Sequence, residues 1–403
     1  MLSESQLVKS ELKVTLWMES NKIETFCINF KFMKNKILIF ISLFALINCS
    51  GQIPDENKDN EAKIKLGAYY YGGWSGTCPY DDGKPEHAWA KGMPLMVTRL
   101  MTTEFAGCEP VWGWREDTQE IMEQQIDLAA NSGIAYFSFC WYWRDNKGPI
   151  NVPAIKTKSE HLPMYLFMSA KNNTKMEFCL LVANHSGAEI TGTEAWKQAA
   201  DFWIKNYFKH PRYLKSEGKP VIMIFDPKGA DKDGLAYLQE AAKEADYPGV
   251  FVAGCGNCSV ENGFQVQTLY NTKPKAGLNL TDIYPFHLLS DWNISVWDKI
   301  NLPMAYIPCL TSGWDRRPWE ASPPDGRGSA VSAHFQRGPP GELEQYMKSL
   351  VDWKDAHPCQ ITKDRLAIIY AWNEIGEGAW ILPCKDDPEG AYLKAIRKVV
   401  FGK

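Results

Sequence analysis

The sequence predicts an α/β fold, a single (β/α)8 (TIM) barrel, and three observations predict it. Apolar runs of strand length alternate with helical patterns over about 340 residues. The runs are near-continuous, as parallel strands covered on both faces require. No Gly-rich dinucleotide fingerprint follows the first run, which weighs against the rival, a doubly wound open sheet. The chain has 403 residues, 45% of them hydrophobic and 23% charged, which excludes a disordered or collagen-like protein and suffices for one large domain. A net charge of −4 implies no basic surface for nucleic acid.

The first 32 residues mix Lys and Glu without periodicity and read as an upstream start-site extension. Met33-Lys-Asn-Lys36 then precedes the apolar run 37–47 and Asn48-Cys49. A basic start, an apolar run too short to span a bilayer and a terminal Cys make a secretory signal. Leu46-Ile-Asn-Cys49 resembles the lipobox of bacterial lipoproteins, with Cys49 as the lipidated residue. Residues 1–49 thus read as that extension plus a lipoprotein signal, and 50–62, acidic and polar, as a flexible tether. This arrangement resembles the surface lipoproteins of Bacteroidetes-type bacteria and implies the outer membrane. Residues 63–403 form the barrel domain.

Ile64–Tyr71 reads as the first strand. Glu116–Asn131 reads as a helix, with Ile121, Met122, Ile126 and Ala129 at helical spacing and Gly133 ending it. Strands follow at Ile134–Trp143 and Met176–Asn184, a helix at Thr193–Phe208 capped by Thr193, a strand at Pro220–Asp226 and a helix at Gly234–Ala245. Val250–Ala253 is a short strand, Asn279–Pro285 a weaker one, and Leu302–Leu310 the seventh. A Gly/Pro-rich loop leads to a helix at Glu342–Ala356, a strand at Leu366–Trp372 and a last helix at Ala391–Val400.

In such barrels the chemistry sits at the C-terminal ends of the strands. Read there, the sequence offers Tyr71 and Trp74, Trp141 and Trp143, Asn184, Asp226, Tyr284, Trp314 and Asn373 as substrate-binding residues. Aromatics make 13% of the chain, and planar rings suit the apolar faces of sugars, although most Trp in any chain are core. Glu374-x-x-Glu377 is the sharpest feature. Glycosidic cleavage needs two carboxyl groups flanking one bond, one of them protonated. Gly376 and Gly378 let the backbone turn and bring the two together. The plain alternative is a structural Glu374 and a solvated Glu377. Cys255-Gly-Asn-Cys258 has no second CxxC, so no metal is implied, and no cofactor motif is present.

Ala371-Trp-Asn-Glu374-Ile-Gly-Glu377-Gly378, with Tyr392-Leu-Lys-Ala-Ile396, resembles the end of glycoside hydrolase family 99 and its WbsX-like relatives. Gln125–Gly133 running into Phe137-Ser-Phe-Cys-Trp141-Tyr-Trp143, and Phe178–Asn184, are similar too. Ile375 and Gly376 stand where the mannosidases tend to carry Trp and His, which brings the WbsX-like relatives closer. The resemblance implies a (β/α)8 barrel and a retaining, endo-acting α-mannosidase type of activity. It implies Glu374 as base on a sugar 2-hydroxyl, which attacks C1 to give a 1,2-anhydro sugar. Glu377 is then the acid for the leaving group. Two other classes stand beside this one: a surface glycan-binding barrel without catalysis, and a sugar transferase, the label some WbsX-like relatives carry.

Overall fold

The structure, a computed structural model, describes residues 64–144, 148–274, 277–300 and 303–402. The signal-like segment, Cys49 and the acidic stretch 50–62 lie outside the described residues. Parallel strands form the frame: β1 Lys65–Tyr70, β2 Ile134–Trp141, β3 Glu177–Val182, β4 Lys219–Ile224, β5 Phe251–Cys255, β6 Val266–Thr268, β7 Ala305–Tyr306, β8 Cys309–Thr311 and β9 Leu366–Tyr370. They pair in the order β8-β9-β1-β2-β3-β4-β5-β6-β7, every pairing parallel. The two ends of that order, β7 and β8, are separated only by Ile307-Pro308. The sheet is therefore curled, with both edges in one short segment. A proline lacks the N–H a central strand would donate, which accounts for the break between them.

Helices cover the outside: α1 Gln119–Asn131, α2 Leu162–Ser169, α3 Thr193–Trp203, α4 Lys232–Glu244, α5 Phe286–Trp297, α6 Pro340–Ala356 and α7 Ala391–Phe401. The strands are apolar because one face meets these helices and the other the interior. Phenols inside the curl find carbonyls: Tyr136 Oη donates to Ala367 O at 2.9 Å and Tyr69 Oη to Leu269 O at 2.8 Å. Most of the described tryptophans are buried, as a Trp-rich core requires.

The structure corrects three of the expected elements. The sixth strand of the curl is β6, and the stretch 279–285 contributes only Ile283–Tyr284, which pairs with His334–Phe335 in a separate small sheet. Helix α1 starts three residues later than expected, because Thr118 caps it by accepting from Ile121 N; Glu116 lies outside it. Thr193 is not a cap. Gly192 occupies that position, and Thr193 Oγ1 donates to Asp231 Oδ2 at 3.2 Å instead.

Candidate active site

Strand β9 ends at Tyr370, and three residues later the chain enters a hairpin in which Asn373–Glu374 pairs antiparallel with Ala379–Trp380. Two glycines set its shape. Gly378 has φ +73°, a left-handed turn, and a Cβ there would lie 2.2 Å from Asp315 N. A Cβ on Gly376 would lie 1.9 Å from the Trp319 ring. The hairpin is thus pressed onto the loop after β8, where Asp315 N donates to Glu377 O at 2.8 Å. Any side chain at 376 or 378 would push the two glutamates away from that loop.

Glu374 is 5% exposed, and its Oε1 accepts from Tyr270 Oη at 2.5 Å. Burial, and next the charge of Glu377, push its carboxyl well above the usual carboxylate range; the Tyr270 hydrogen bond and the Arg316 charge oppose this. Glu377 is more open. Its Oε2 accepts from the Tyr370 phenol and from Asn271 Nδ2 at 3.5 Å, and its Oε1 lies 3.6 Å from Arg316 Nε. Two neighbouring carboxyls thus meet different environments, one buried against a phenol and the other open to an amide and a guanidinium. The tyrosines that serve them are themselves in contact, with ring centroids 4.7 Å apart. Burial first, and then the Glu374 charge, raise the phenols of Tyr71 and Tyr270 and the thiol of Cys140, so all three stand beside that carboxyl.

Beneath the pair, Asn373 is fully buried and acts as a bolt. Tyr71 N donates to its Oδ1 at 2.7 Å, and its Nδ2 donates to Tyr71 O at 2.9 Å, which ties the end of β1 to the end of β9. The same Nδ2 reaches Glu116 Oε2 at 2.8 Å, which also accepts from Tyr70 Oη at 2.8 Å. Glu116 is 1% exposed, and burial pushes its carboxyl up to about 8.

The other expected residues divide. Trp74 is buried and donates from Nε1 to Asn373 O at 2.9 Å, so it braces the bolt. Trp314 packs 6.4 Å from the Tyr370 ring. Asn184 bonds only the main chain of Asp226, and the Asp226 carboxylate accepts from its own turn at Lys228 N, 3.0 Å away. Trp141 offers no face to a sugar: it is wholly buried on the helix side and donates from Nε1 to Tyr207 Oη at 3.2 Å. Trp143 is buried as well. Tyr284 sits in the small separate sheet against Phe335, its hydroxyl accepting from Asn279 N. Tyr270, Asn271, Tyr370, Arg316 and Glu116 were not singled out by the sequence. Tyr270 and Asn271 follow the strand that was missed, whose only trace is the alternation Phe264-Gln-Val266-Gln. Among the described residues no group of three or more His, Cys, Asp and Glu is placed to hold a metal ion. Eight cysteines, Cys255 and Cys258 among them, are free thiols.

Two solved structures of the family 99 endo-α-mannosidase from Bacteroides thetaiotaomicron share this fold. One, in complex with bis-tris-propane, has a TM-score of 0.53 at 15% identity and covers 84% of this chain and 95% of that one. The other has 0.52 at 16%, covering 83% and 95%. A glycoside hydrolase-like protein gives 0.54 at 11%, covering 87% and 97%. Among curated proteins, WxcX of Xanthomonas campestris pv. campestris, described as uncharacterized, is 22% identical over 318 residues, 70% of this chain. The chain spans 41% of the length of that relative. The family model described as Glycosyltransferase WbsX matches residues 114–396, from just before Glu116 through both glutamates. The chain belongs to the WbsX family, whose structural neighbours are the family 99 glycoside hydrolases.

Proposed function

We propose that this protein is a glycoside hydrolase that cuts an α-linked, mannan-like polysaccharide or glycan within the chain, with retention, through Glu374 and Glu377. One observation carries the reading: two carboxyls on one hairpin at the C-terminal rim, one buried and raised by that burial, the other held by a phenol, an amide and a cation. The frame is read as a complete (β/α)8 barrel, because β7 and β8 together make one strand that pairs with β6 on one side and β9 on the other. The rim of such a barrel is where catalytic groups gather.

The roles implied by the family likeness are Glu374 as base on the sugar 2-hydroxyl and Glu377 as acid. Burial raises the Glu374 carboxyl in the free protein, so substrate binding must favour its charged form for it to act as base. A sugar hydroxyl donating to Glu374 favours its carboxylate, and a sugar covering Glu377 disfavours a charge there. Glu377 next protonates the leaving oxygen while Glu374 takes the hydroxyl proton and that oxygen closes on C1. Water then adds to C1 with Glu377 taking its proton, while the C1–O2 bond breaks and Glu374 returns its proton to the 2-oxygen. The family's description favours a second reading, transfer of a sugar to an acceptor; heat of binding of a nucleotide sugar in calorimetry would support it.

The test is digestion of α-mannans and other bacterial, fungal and algal polysaccharides, followed by chromatography. Oligosaccharides released by the wild type and not by Glu374→Gln/Glu377→Gln are expected. Retention on a glycan gel without products from any polysaccharide would replace the hydrolase with a binding barrel. We further propose export and lipid anchoring at Cys49, with residues 50–62 as tether. Labelled palmitate should enter the wild type and not Cys49→Ser; equal labelling would refute the anchor.

A further inference from the structure

We infer that the glycan this site accepts is anionic, carrying a carboxylate or sulfate on one of the two sugars that flank the bond to be cut, and that Arg316 binds that group. The inference rests on the glycosidase reading for the word "cut" and on geometry for the rest. Arg316 stands in the wall of the site, its Nε 3.6 Å from Glu377 Oε1. That Nε is buried without a hydrogen-bond partner, and no described residue hydrogen-bonds the guanidinium. A guanidinium carries five donors in a rigid fork and is always charged. Beside the reacting pair, such a fork is matched by a planar or tetrahedral oxyanion.

The neighbouring acids are already spent. Asp315 accepts from Arg317 Nε at 2.8 Å and Nη2 at 2.5 Å, and its Oδ1 is 3.5 Å from His334 Nδ1. Glu320 faces His334 Nε2 at 3.3 Å and accepts from Ser332 N at 2.9 Å. Neither has an oxygen turned to Arg316. A second cation reinforces the same wall: Lys273 Nζ lies 3.2 Å from the centroid of the Trp314 ring, and Arg316 stacks over that ring at 5.6 Å. Glu377 meets the guanidinium only at 3.6 Å and leaves its buried Nε without a hydrogen bond. The oxyanion of an acidic sugar supplies that partner. A neutral mannan would leave the fork to water.

The full chain is run in affinity gels containing polygalacturonate or its carboxyl-reduced form, and a sulfated mannan or its desulfated form, and products are scored from each. At least ten-fold tighter retention by one anionic glycan than by its neutral twin is expected, and the twin that matters names the group. Arg316→Ala should fall to the neutral twin's affinity, and Arg316→Lys should recover only part, since an ammonium cannot grip two oxygens at once. Equal affinity within both twin pairs, a preference that survives Arg316→Ala, or retention by none of the four would overturn the inference. The two readings fail separately. Products from neutral mannan at a rate unchanged by Arg316→Ala keep the hydrolase and remove the anionic substrate. An Arg316-dependent preference with no products from any glycan does the reverse. If Arg316→Ala does not fold, the twin comparison on the wild type and the Arg316→Lys variant decide.

Discussion

Two asparagines do the same work in two places on the rim, with different consequences. Asn373 ties the end of β9 to the end of β1 by accepting from Tyr71 N and donating to Tyr71 O. Asn184 ties the end of β3 to the end of β4 by accepting from Asp226 N at 2.9 Å and donating to Asp226 O at 2.8 Å. Each amide continues the sheet's hydrogen bonding one step beyond the strands, with a side chain in place of backbone. At Asn184 the device ends there. At Asn373 the next residue is Glu374, a buried carboxyl lies underneath, and a Trp braces it. The same framework element lies beneath a candidate site only where ionisable groups are stacked on it.

The comparison breaks most sharply on removal of the two amides. Asn373→Ala strips partners from both main-chain groups of Tyr71 and one from Glu116, at a cost of about 3 kcal/mol in urea unfolding. It also frees the base of the glutamate hairpin, so turnover should fall by about 100-fold, the scale of an ångström-sized misplacement. Asn184→Ala should cost about 2 kcal/mol, while turnover changes by less than about 3-fold. Equal losses of turnover at the two sites would show that Asn184 also serves the substrate.

The two phenols come next. Tyr270→Phe removes the donor to Glu374, and Tyr370→Phe the donor to Glu377. Each should lower turnover by about 10-fold, because a hydrogen bond to a charged group contributes about 1.5–3 kcal/mol. Loss of Tyr270 removes an influence that lowers the Glu374 pKa, so the pH profile should move upward in Tyr270→Phe. An unmoved profile would separate Glu374 from the titration that governs activity.

Glu116 gives a stability effect. Its carboxyl stands at about 8 in the folded protein against an ordinary 4.5. The folded state therefore holds a proton that the unfolded chain has lost, and this group's contribution falls as pH rises from 4.5 to about 8. The loss amounts to at most about 5 kcal/mol. Glu116→Gln keeps an acceptor for Tyr70 and Asn373 and cannot ionise. It should melt higher than the wild type at pH 8–9 and about the same at pH 5, as read by thermal scans at both values. The smallest effect is expected at Trp141, where Trp141→Phe should loosen the packing against Trp203 and leave glycan retention unaltered.

The long apolar strands β1, β2, β3, β4 and β9 were legible because burial on both faces leaves no room for polar residues. The β6 strand was not: three residues, Val-Gln-Thr, two of them polar, carry no such signature. Thr268 donates from Oγ1 to Ile307 O at 2.9 Å, which satisfies a buried hydroxyl without an apolar run. Missing it hid Tyr270 and Asn271, one partner for each glutamate. Glu374 and Glu377 themselves were legible from spacing and glycines, and the structure brings them together. Glu116 was hidden for the opposite reason: its neighbours look helical, and only the cap at Thr118 moves it out of α1 and under the bolt. Trp141 and Tyr284 show how far strand ends alone mislead: alternate side chains of one strand face opposite ways, and Tyr284 lies in a separate small sheet.

The most direct measurement compares turnover of an α-linked polysaccharide with turnover of an activated aryl glycoside of the same sugar, in wild type, Glu374→Gln and Glu377→Gln. With Glu377 as the acid and then the base, Glu377→Gln should lose the polysaccharide reaction and still release the aryl group in a first-turnover burst, a step that needs no proton on its leaving group; Glu374→Gln should lose both. Undiminished polysaccharide turnover in either variant would contradict the account.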